Sequence, residues 1–363
     1  MAILLVVMFH VGIPWFRGGF VGVDVFFVIS GFVITGLLLR ERQATNGTSF
    51  LSFYGRRARR ILPAALLVVV AALVGSAMVS GRDYADLIAT DARWTVAFLA
   101  NTHFAHVYPN YLVNRPQSPL QQYWSLAVEE QFYLVYPACF AGVIALSSGR
   151  NWRRNLALCL VGAAALSFGY SVAATHALQL GAYDSTLTRV WELAAGALVA
   201  LGISWFERIP ARLAAALTWF GLAGIFVAAA AISVRTTFPG WVVALPVLST
   251  VLVVGCGAAA RGGAEVGLGL KPVMWVGKRS YGWYLWHWPL LVLYAQAAKT
   301  TVGQLGIAKN LTIVVVALAL AAAMYAWCES PIRHSTRLVD NPTATLIGAG
   351  ALIATCFAFT FAF

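Results

Sequence analysis

The chain has 363 residues, of which 60% are hydrophobic and only 10% are charged, and its mean hydropathy is +0.78. Soluble domains carry about 25% charged residues, so this composition excludes a soluble globular protein. The net charge of +12 would suit a nucleic-acid-binding protein, but loop arginines that set the orientation of a membrane protein explain it better. The five cysteines form no CxxC pair, so neither a disulfide framework nor a metal site is predicted.

Apolar segments of membrane-spanning length recur along the whole chain and predict an all-α polytopic membrane protein. The period-two alternation of a membrane β-barrel is absent from the sequence. We expect a bundle of ten transmembrane helices and the start of an eleventh. The predicted helices are 2–16, 20–40, 61–80, 123–146, 155–176, 186–204, 212–232, 241–258, 280–298 and 308–327, and the eleventh is 344–363.

The segment 87–105 is ambiguous because it is short and carries Asp91, Arg93 and His103. If it does not cross the membrane and the N-terminus is cytoplasmic, 17 of the 25 basic residues lie on the cytoplasmic side. If it crossed, the last 11 of these would lie outside, against the positive-inside rule. We therefore predict an outer-face or re-entrant segment at 81–122.

This orientation divides the chain into three parts. Residues 1–327 form the ten-helix domain, 328–343 a cytoplasmic linker and 344–363 the eleventh helix.

Two ionisable residues lie in the first apolar stretches, where such groups are costly and usually functional. His10 follows seven apolar residues, and Asp24 lies within Gly19–Leu39, which otherwise carries no charge. The short link between them makes the two helices antiparallel neighbours. We therefore expect the carboxylate to contact the imidazole and to make His10 a general base. A polar pair that only pins the helices together is the alternative.

Further polar residues lie near the outer ends of predicted helices. Glu129 shares a helix face with Ser125, whereas for Glu130 we expect a solvated carboxylate. Arg189 and Glu192 are three residues apart and could either neutralise each other or belong to a site.

Four arginines precede the third predicted helix: Arg56, Arg57, Arg59 and Arg60. They either anchor the chain at anionic lipid headgroups or bind the phosphates of a nucleotide-bearing donor through their side chains. No Walker or Rossmann glycine signature accompanies them. The pattern places a polyanion site on the inner face and an acid–base site on the outer face.

His287 lies within a predicted helix among three tryptophans. A hydrogen-bonded histidine in a packed tryptophan cluster is favoured slightly over a residue that contacts substrate. The remaining histidines have no metal-ligand spacing.

Seven segments carry a family resemblance: Phe9-His10, Gly18–Thr35, Phe53–Pro63, Tyr123–Pro137, Thr186–Ala200, Gly277–Leu290 and Glu329–Arg333. Together and in this order, over nearly the whole chain, they resemble the membrane-bound acyltransferase-3 family, the O-acetyltransferases of bacterial surface glycans. The resemblance implies a multi-pass protein of the bacterial cytoplasmic membrane. It would move an acyl group, commonly acetyl, from cytoplasmic acyl-CoA to a hydroxyl of an extracytoplasmic glycan or glycolipid.

The resemblance also implies roles for single residues. The residues that match the family's catalytic and CoA-binding positions are His10, Asp24, Glu129, Arg56, Arg57 and Arg60. We add as candidate substrate contacts Arg17, Ser30, Tyr123, Trp124, Arg189, Glu192 and His287. Acetyl-CoA is the expected donor, membrane lipids surround the protein, and neither a metal nor a nucleic acid is expected.

Two departures from the family pattern are present. The family usually has a basic residue eleven positions before its histidine, a position that here precedes Met1, so the chain either begins late or lacks that group. Gln122 stands where relatives often have a histidine, so no second outer-face base is expected there. Relatives with an eleventh helix often continue into an extracytoplasmic SGNH-type domain, and we expect that this chain is a truncated member of that type, whose SGNH-like domain would act in cis or in trans.

The resulting mechanism leaves two routes open. His10, oriented by Asp24 or Glu129, either deprotonates the acceptor hydroxyl or becomes transiently acylated. The alternative function is a proton-coupled transporter or flippase for a glycolipid or small molecule, with His10 and Asp24 as a proton relay. The sequence shows no internal repeat that would support a transporter.

Overall fold

The computed structural model describes residues 1–45, 47–107, 118–147, 151–179 and 181–363, so residues 108–117 of the predicted outer segment lie outside it. Within these ranges all regular structure is helical and no strand is present, which confirms the all-α prediction. The helices are α1 (Ala2–Val11), α2 (Gly22–Thr45), α3 (Phe50–Ser80), α4 (Arg82–Val96), α5 (Ala100–Val107), α6 (Tyr123–Leu146), α7 (Trp152–His176), α8 (Thr186–Leu201), α9 (Ile203–Phe206), α10 (Ala211–Ala231), α11 (Ala244–Cys256), α12 (Glu265–Leu268), α13 (Lys271–Ala297), α14 (Ile307–Met324), α15 (Ser330–His334), α16 (Thr336–Val339) and α17 (Pro342–Phe359).

Six helical segments in the described part of the chain are long and apolar enough to cross a membrane. They are Gly19–Thr45, Phe50–Ser80, Trp152–His176, Ala211–Ala231, Ile307–His334 and Pro342–Ala362. The other predicted spans also coincide with helices, but α1, α8 and α11 have only 10, 16 and 13 residues, whereas a full span needs about 20. The membrane character is therefore supported, and the count of ten spans stays a prediction.

The four arginines lie inside α3, which begins at Phe50 rather than near residue 61 as predicted. Ser49 caps the helix by accepting a hydrogen bond from the Ser52 amide at 3.3 Å, and arginine is itself a good helix former. Because successive helical residues are rotated by about 100°, the arginines point toward different neighbours.

The helices α4 and α5 form a hairpin whose turn packs against α6. Gln131 of α6 donates to the Phe98 carbonyl at 3.0 Å and to the Asn101 side chain at 2.8 Å. With 15 and 8 residues, the two helices are short for membrane spans. This geometry suits a re-entrant segment, and its sidedness stays a prediction.

Glycines set the two helix contacts that position the site. A Cβ atom at Gly22 would overlap the Ala2 carbonyl oxygen, so α2 passes close to α1 at that level. A Cβ atom at Gly31 would overlap the Leu193 carbonyl oxygen, and one at Gly196 the Val28 carbonyl oxygen, so α2 and α8 also touch backbone to backbone. Small residues allow this approach in membrane helices, and they confirm that α1 and α2 are neighbours.

Candidate active site

His10 lies near the C-terminal end of α1 and faces α13. Its Nδ1 is 3.2 Å from Nε2 of His287, and its ring centroid is 4.5 Å from that of Trp288. His10 is half-buried, whereas His287 is fully buried. Nδ1 of His287 is in turn 2.7 Å from the Tyr284 carbonyl oxygen. The sequence therefore identified both histidines, but it did not pair them.

The expected contact between Asp24 and His10 is absent, and this part of the prediction is wrong. Asp24 instead accepts a hydrogen bond from Arg189 at 2.6 Å, and Arg189 also donates to Glu192 at 3.1 Å. Gly22 faces α1, and a residue two positions later is rotated by about 200° around the helix, toward α8. Gly22 also lies level with Ala2, eight residues before His10, which is about 12 Å along the helix.

Arg189 and its carboxylates form a buried cluster between α2 and α8. The side chains of Asp24, Arg189 and Glu192 are at most 1% exposed, and the guanidinium lies 5.0 to 5.5 Å from the centroids of three aromatic rings. Those rings belong to Trp124, Tyr183 and Phe238. Arg189 and Glu192 thus partly neutralise each other, which is one of the two alternatives that the sequence left open.

Glu129 does not orient His10 in the structure. Its carboxylate accepts hydrogen bonds from Ser30 and from Tyr133, both at 2.6 Å, and lies 3.7 Å from Arg57. Glu130 is not solvated as expected, because it accepts a hydrogen bond from the largely buried Arg57 at 3.0 Å. The carboxylates of Glu129 and Glu130 both attract the guanidinium of Arg57. This attraction holds the Glu130 side chain against Arg57 and partly away from solvent.

The arginines of α3 have separate environments. Arg56 is exposed and paired with Glu41, whereas Arg57 is buried beside its carboxylates and over the Tyr133 ring. Arg59 donates to the Leu338 carbonyl at 2.8 Å and so holds the segment before α17. Arg60 is exposed and lines a cavity.

This cavity, which we call the donor cavity, has a volume of about 120 Å³ and lies between α1, α2, α3, α6 and α13. Arg57 and Arg60 contribute to its wall, and Ser125 and Tyr284 contribute polar hydroxyls. Ser125 and Tyr284 are themselves joined by a 2.7 Å hydrogen bond. Val6 also lines the cavity, so on α1 the cavity comes to about one helical turn from His10.

The other predicted substrate contacts lie in different environments, some at the cavity or the surface and some in the interior. Ser30 lines the donor cavity, and Arg17 is exposed in the link after α1. Tyr123 is buried and donates its hydroxyl to the Ala65 carbonyl at 2.8 Å, and Trp124 is buried against Arg189. Tyr123 and Trp124 therefore do not line an open outer surface, because their apolar rings fill the interior.

Sequence reasoning missed Asp184, which lies in the link between α7 and α8. It is 1% exposed, its Oδ1 atom has no hydrogen-bond partner, and it interacts electrostatically with Arg189. Burial raises the pKa of this carboxyl to about 8. An aspartate in a short link resembles any solvated loop residue, so no signal in the sequence distinguished it.

Among the residues that the structure describes, no group of three or more His, Cys, Asp or Glu side chains could hold a metal ion. The site therefore consists of a histidine pair, a cavity with two arginines and a separate buried ion cluster.

Comparison with known proteins places this arrangement in a family. The family model described as an acyltransferase domain matches residues 1–328. The chain is 29% identical to the peptidoglycan O-acetyltransferase OatA of Listeria monocytogenes over 351 residues, which cover 92% of this chain and 54% of that protein.

Two further relatives give the same picture. The O-acetyltransferase OatA of Staphylococcus aureus is 28% identical, with 92% of this chain and 55% of that protein covered. The putative peptidoglycan O-acetyltransferase YrhL of Bacillus subtilis is 30% identical, with 92% and 53% covered. The chain thus spans about half the length of these relatives, and no solved structure matches it. The match over nearly the whole chain shows that it belongs to the acyltransferase-3 family.

Proposed function

We propose that this chain is a membrane O-acyltransferase that moves an acetyl group from cytoplasmic acetyl-CoA to a hydroxyl of an extracytoplasmic glycan. Membership of the acyltransferase-3 family supports the reaction class. The chain's similarity to the peptidoglycan O-acetyltransferase OatA and to the putative peptidoglycan O-acetyltransferase YrhL favours a cell-wall glycan as the acceptor. The family match also favours transfer over the alternative of a proton-coupled transporter.

The single observation that carries the proposal is the donor cavity and its position. It extends from Arg57 and Arg60 of α3 to Val6 of α1, which lies about one helical turn from His10. Arginine forks suit the phosphates of CoA, and Arg60 is both exposed and on the cavity wall. The pantetheine chain would follow the cavity and bring the thioester toward His10.

The chemistry at His10 has two routes. In the direct route, Nε2 of His10 takes the proton of the acceptor hydroxyl, the oxygen attacks the thioester carbonyl, and the C–S bond breaks to release the CoA thiolate. In the covalent route, Nε2 attacks the thioester carbonyl first and the C–S bond breaks to release the CoA thiolate, and the acceptor oxygen then takes the acetyl group from the imidazole. In both routes the proton of the hydroxyl ends on the CoA sulfur or on solvent.

The other predicted catalytic residues receive supporting roles in this proposal. Glu129, held by Ser30 and Tyr133, shapes the wall of the donor cavity and fixes Arg57 there. Asp24 and Arg189 hold α2 against α8. Of the candidate acceptor contacts, exposed Arg17 stays a prediction, whereas buried Tyr123 and Trp124 are left out of the acceptor site.

The test uses the purified full chain in lipid nanodiscs with radiolabelled acetyl-CoA and a peptidoglycan fragment. We expect label on the fragment and release of free CoA thiol, both lost in His10→Ala while CoA binding persists. Label that stays on the wild-type protein without acceptor, and moves to the peptidoglycan fragment when this is added, would select the covalent route. His106→Gln, an exposed histidine on α5, is the matched control. Retained transfer by His10→Ala would contradict the proposal.

A further inference from the structure

The hydrogen bonds of His287 determine which of its ring nitrogens carries the proton. A carbonyl oxygen only accepts hydrogen bonds. Nδ1 of His287 lies 2.7 Å from the Tyr284 carbonyl and 3.2 Å from the Trp283 carbonyl, so Nδ1 must be the protonated nitrogen. In a neutral imidazole the other nitrogen then has a lone pair, and Nε2 of His287 is an acceptor.

This acceptor is directed at His10. Nε2 of His287 lies 3.2 Å from Nδ1 of His10, so Nδ1 of His10 must donate the proton of that bond. Nε2 of a neutral His10 consequently has the free lone pair, which is what a general base or a nucleophile requires. Among the described residues, no group is hydrogen-bonded to Nε2 of His10.

The surroundings hold both rings in this arrangement. His287 is fully buried, and two backbone carbonyls of its own helix face its Nδ1, so its ring has no free rotation. Trp288 packs against the His10 ring at 4.5 Å between centroids, and its indole N–H donates to the Ser118 carbonyl at 2.9 Å. His10 is half-buried and His287 fully buried, so within this pair His10 is the ring that a substrate can reach.

We propose that His287 is a positioning residue that holds His10 in the tautomer with a free Nε2. The inference rests on the proposed function, in which His10 carries the chemistry. When Nε2 of His10 takes the acceptor proton, the imidazolium keeps its Nδ1 proton shared with Nε2 of His287. The lone pair of His287 therefore stabilises the charged ring, as a carboxylate does in catalytic triads, but without a buried negative charge.

Two substitutions of similar size separate this role from packing. Glutamine at position 287 places an amide oxygen about as far along the side chain as Nε2, so it can still accept from His10. Asparagine places its amide about as far as Nδ1, so it can satisfy the Tyr284 carbonyl but cannot reach His10. We expect His287→Asn and His287→Phe to lower kcat about 100-fold with KM for acetyl-CoA within about twofold, and His287→Gln to recover most of that loss.

The tautomer is measured directly by ¹⁵N nuclear magnetic resonance of histidine-labelled full chain in nanodiscs at pH 8. His10 is assigned by the signals lost in His10→Ala. We expect Nε2 of His10 to be unprotonated and Nδ1 protonated in the wild type and in His287→Gln, and a mixture of tautomers in His287→Phe. A His10 ring protonated on Nε2 in the wild type, or equal kcat for the Gln and Asn variants, would overturn the inference. Because this spectrum needs no turnover, it stays informative even if acetyl transfer itself is not found.

Discussion

At the scale of single residues, the sequence identified costly polar groups but not their partners. Hydropathy placed His10 and Asp24 inside apolar helices, which the structure confirms. It could not give the direction of each side chain around its helix, nor the turns at Pro14–Phe16 and Gly19–Val21 that bring Gly22 level with Ala2. Asp24 therefore meets Arg189, and His10 meets His287.

Arg60 provides a residue-scale prediction about the donor. It lines the donor cavity and is exposed, whereas Arg57 is fixed by Glu130 and Arg59 by Leu338. We expect Arg60→Gln to raise KM for acetyl-CoA about tenfold, which corresponds to one lost charge-assisted hydrogen bond of about 1.4 kcal/mol, with kcat nearly unchanged. The measurement is steady-state release of free thiol. Exposed Arg208, changed to Gln, is the control, and an equal effect at both positions would refute a phosphate contact.

Asp184 provides a prediction about stability and pH. Because burial raises its pKa in the folded protein to about 8, against about 3.9 in an unfolded chain, the folded state binds the proton more tightly. Its contribution to the free energy of unfolding therefore falls as pH rises from about 4 to about 8. We expect Asp184→Asn to raise the midpoint of thermal unfolding at pH 8 and to change it little at pH 4.

The measurement for Asp184 is unfolding followed by tryptophan fluorescence in detergent at both pH values. Exposed Asp340, changed to Asn, is the matched control and should show no such pH dependence. A lower midpoint for Asp184→Asn at pH 8 would show that the carboxylate has a stabilising partner.

At the scale of elements, the sequence predicted the helices better than their ends. The apolar segments located every helix that frames the site, but α3 begins about eleven residues earlier than predicted, because the stretch from Phe50 to Ile61 has no proline and its four arginines favour a helix despite Gly55. The predicted start of this helix was placed where the charged residues end and the apolar residues begin. A helix can, however, extend beyond its apolar part. Of the close helix contacts only that between α1 and α2 was predicted, from their short link; the contact between α2 and α8 was not, since a glycine in a helix gives no sign of which neighbour it faces.

The contact between α2 and α8 can be tested through its glycines. A Cβ atom at Gly31 would overlap the Leu193 carbonyl oxygen, so Gly31→Ala must push the helices apart and stretch the bond between Asp24 and Arg189. We expect a clear fall in the thermal midpoint, of the order of 2 kcal/mol or more in stability. Gly162 on α7 has no atom near its would-be Cβ, so Gly162→Ala should be neutral or slightly stabilising. Equal midpoints for the two variants would contradict the close contact.

At the scale of the whole molecule, the family resemblance is confirmed and the membrane topology stays a prediction. The residues that carry the resemblance are spread over nearly the whole chain, and the family match covers residues 1–328. The side of the membrane on which each end lies follows only from the distribution of basic residues, because helix geometry is the same in either orientation. The arginine end of the donor cavity lies on the cytoplasmic side, and the histidine pair toward the outer side, only if that orientation holds.

The measurement that tests the central claim most directly is transfer across a bilayer. The full chain is reconstituted in sealed vesicles in one known orientation, with labelled acetyl-CoA on the side of Arg60 and the glycan acceptor on the opposite side. Our account predicts labelled acceptor in vesicles with the wild type and none with His10→Ala. Acetylation only when donor and acceptor share one side, or acetylation that continues in His10→Ala, would contradict it.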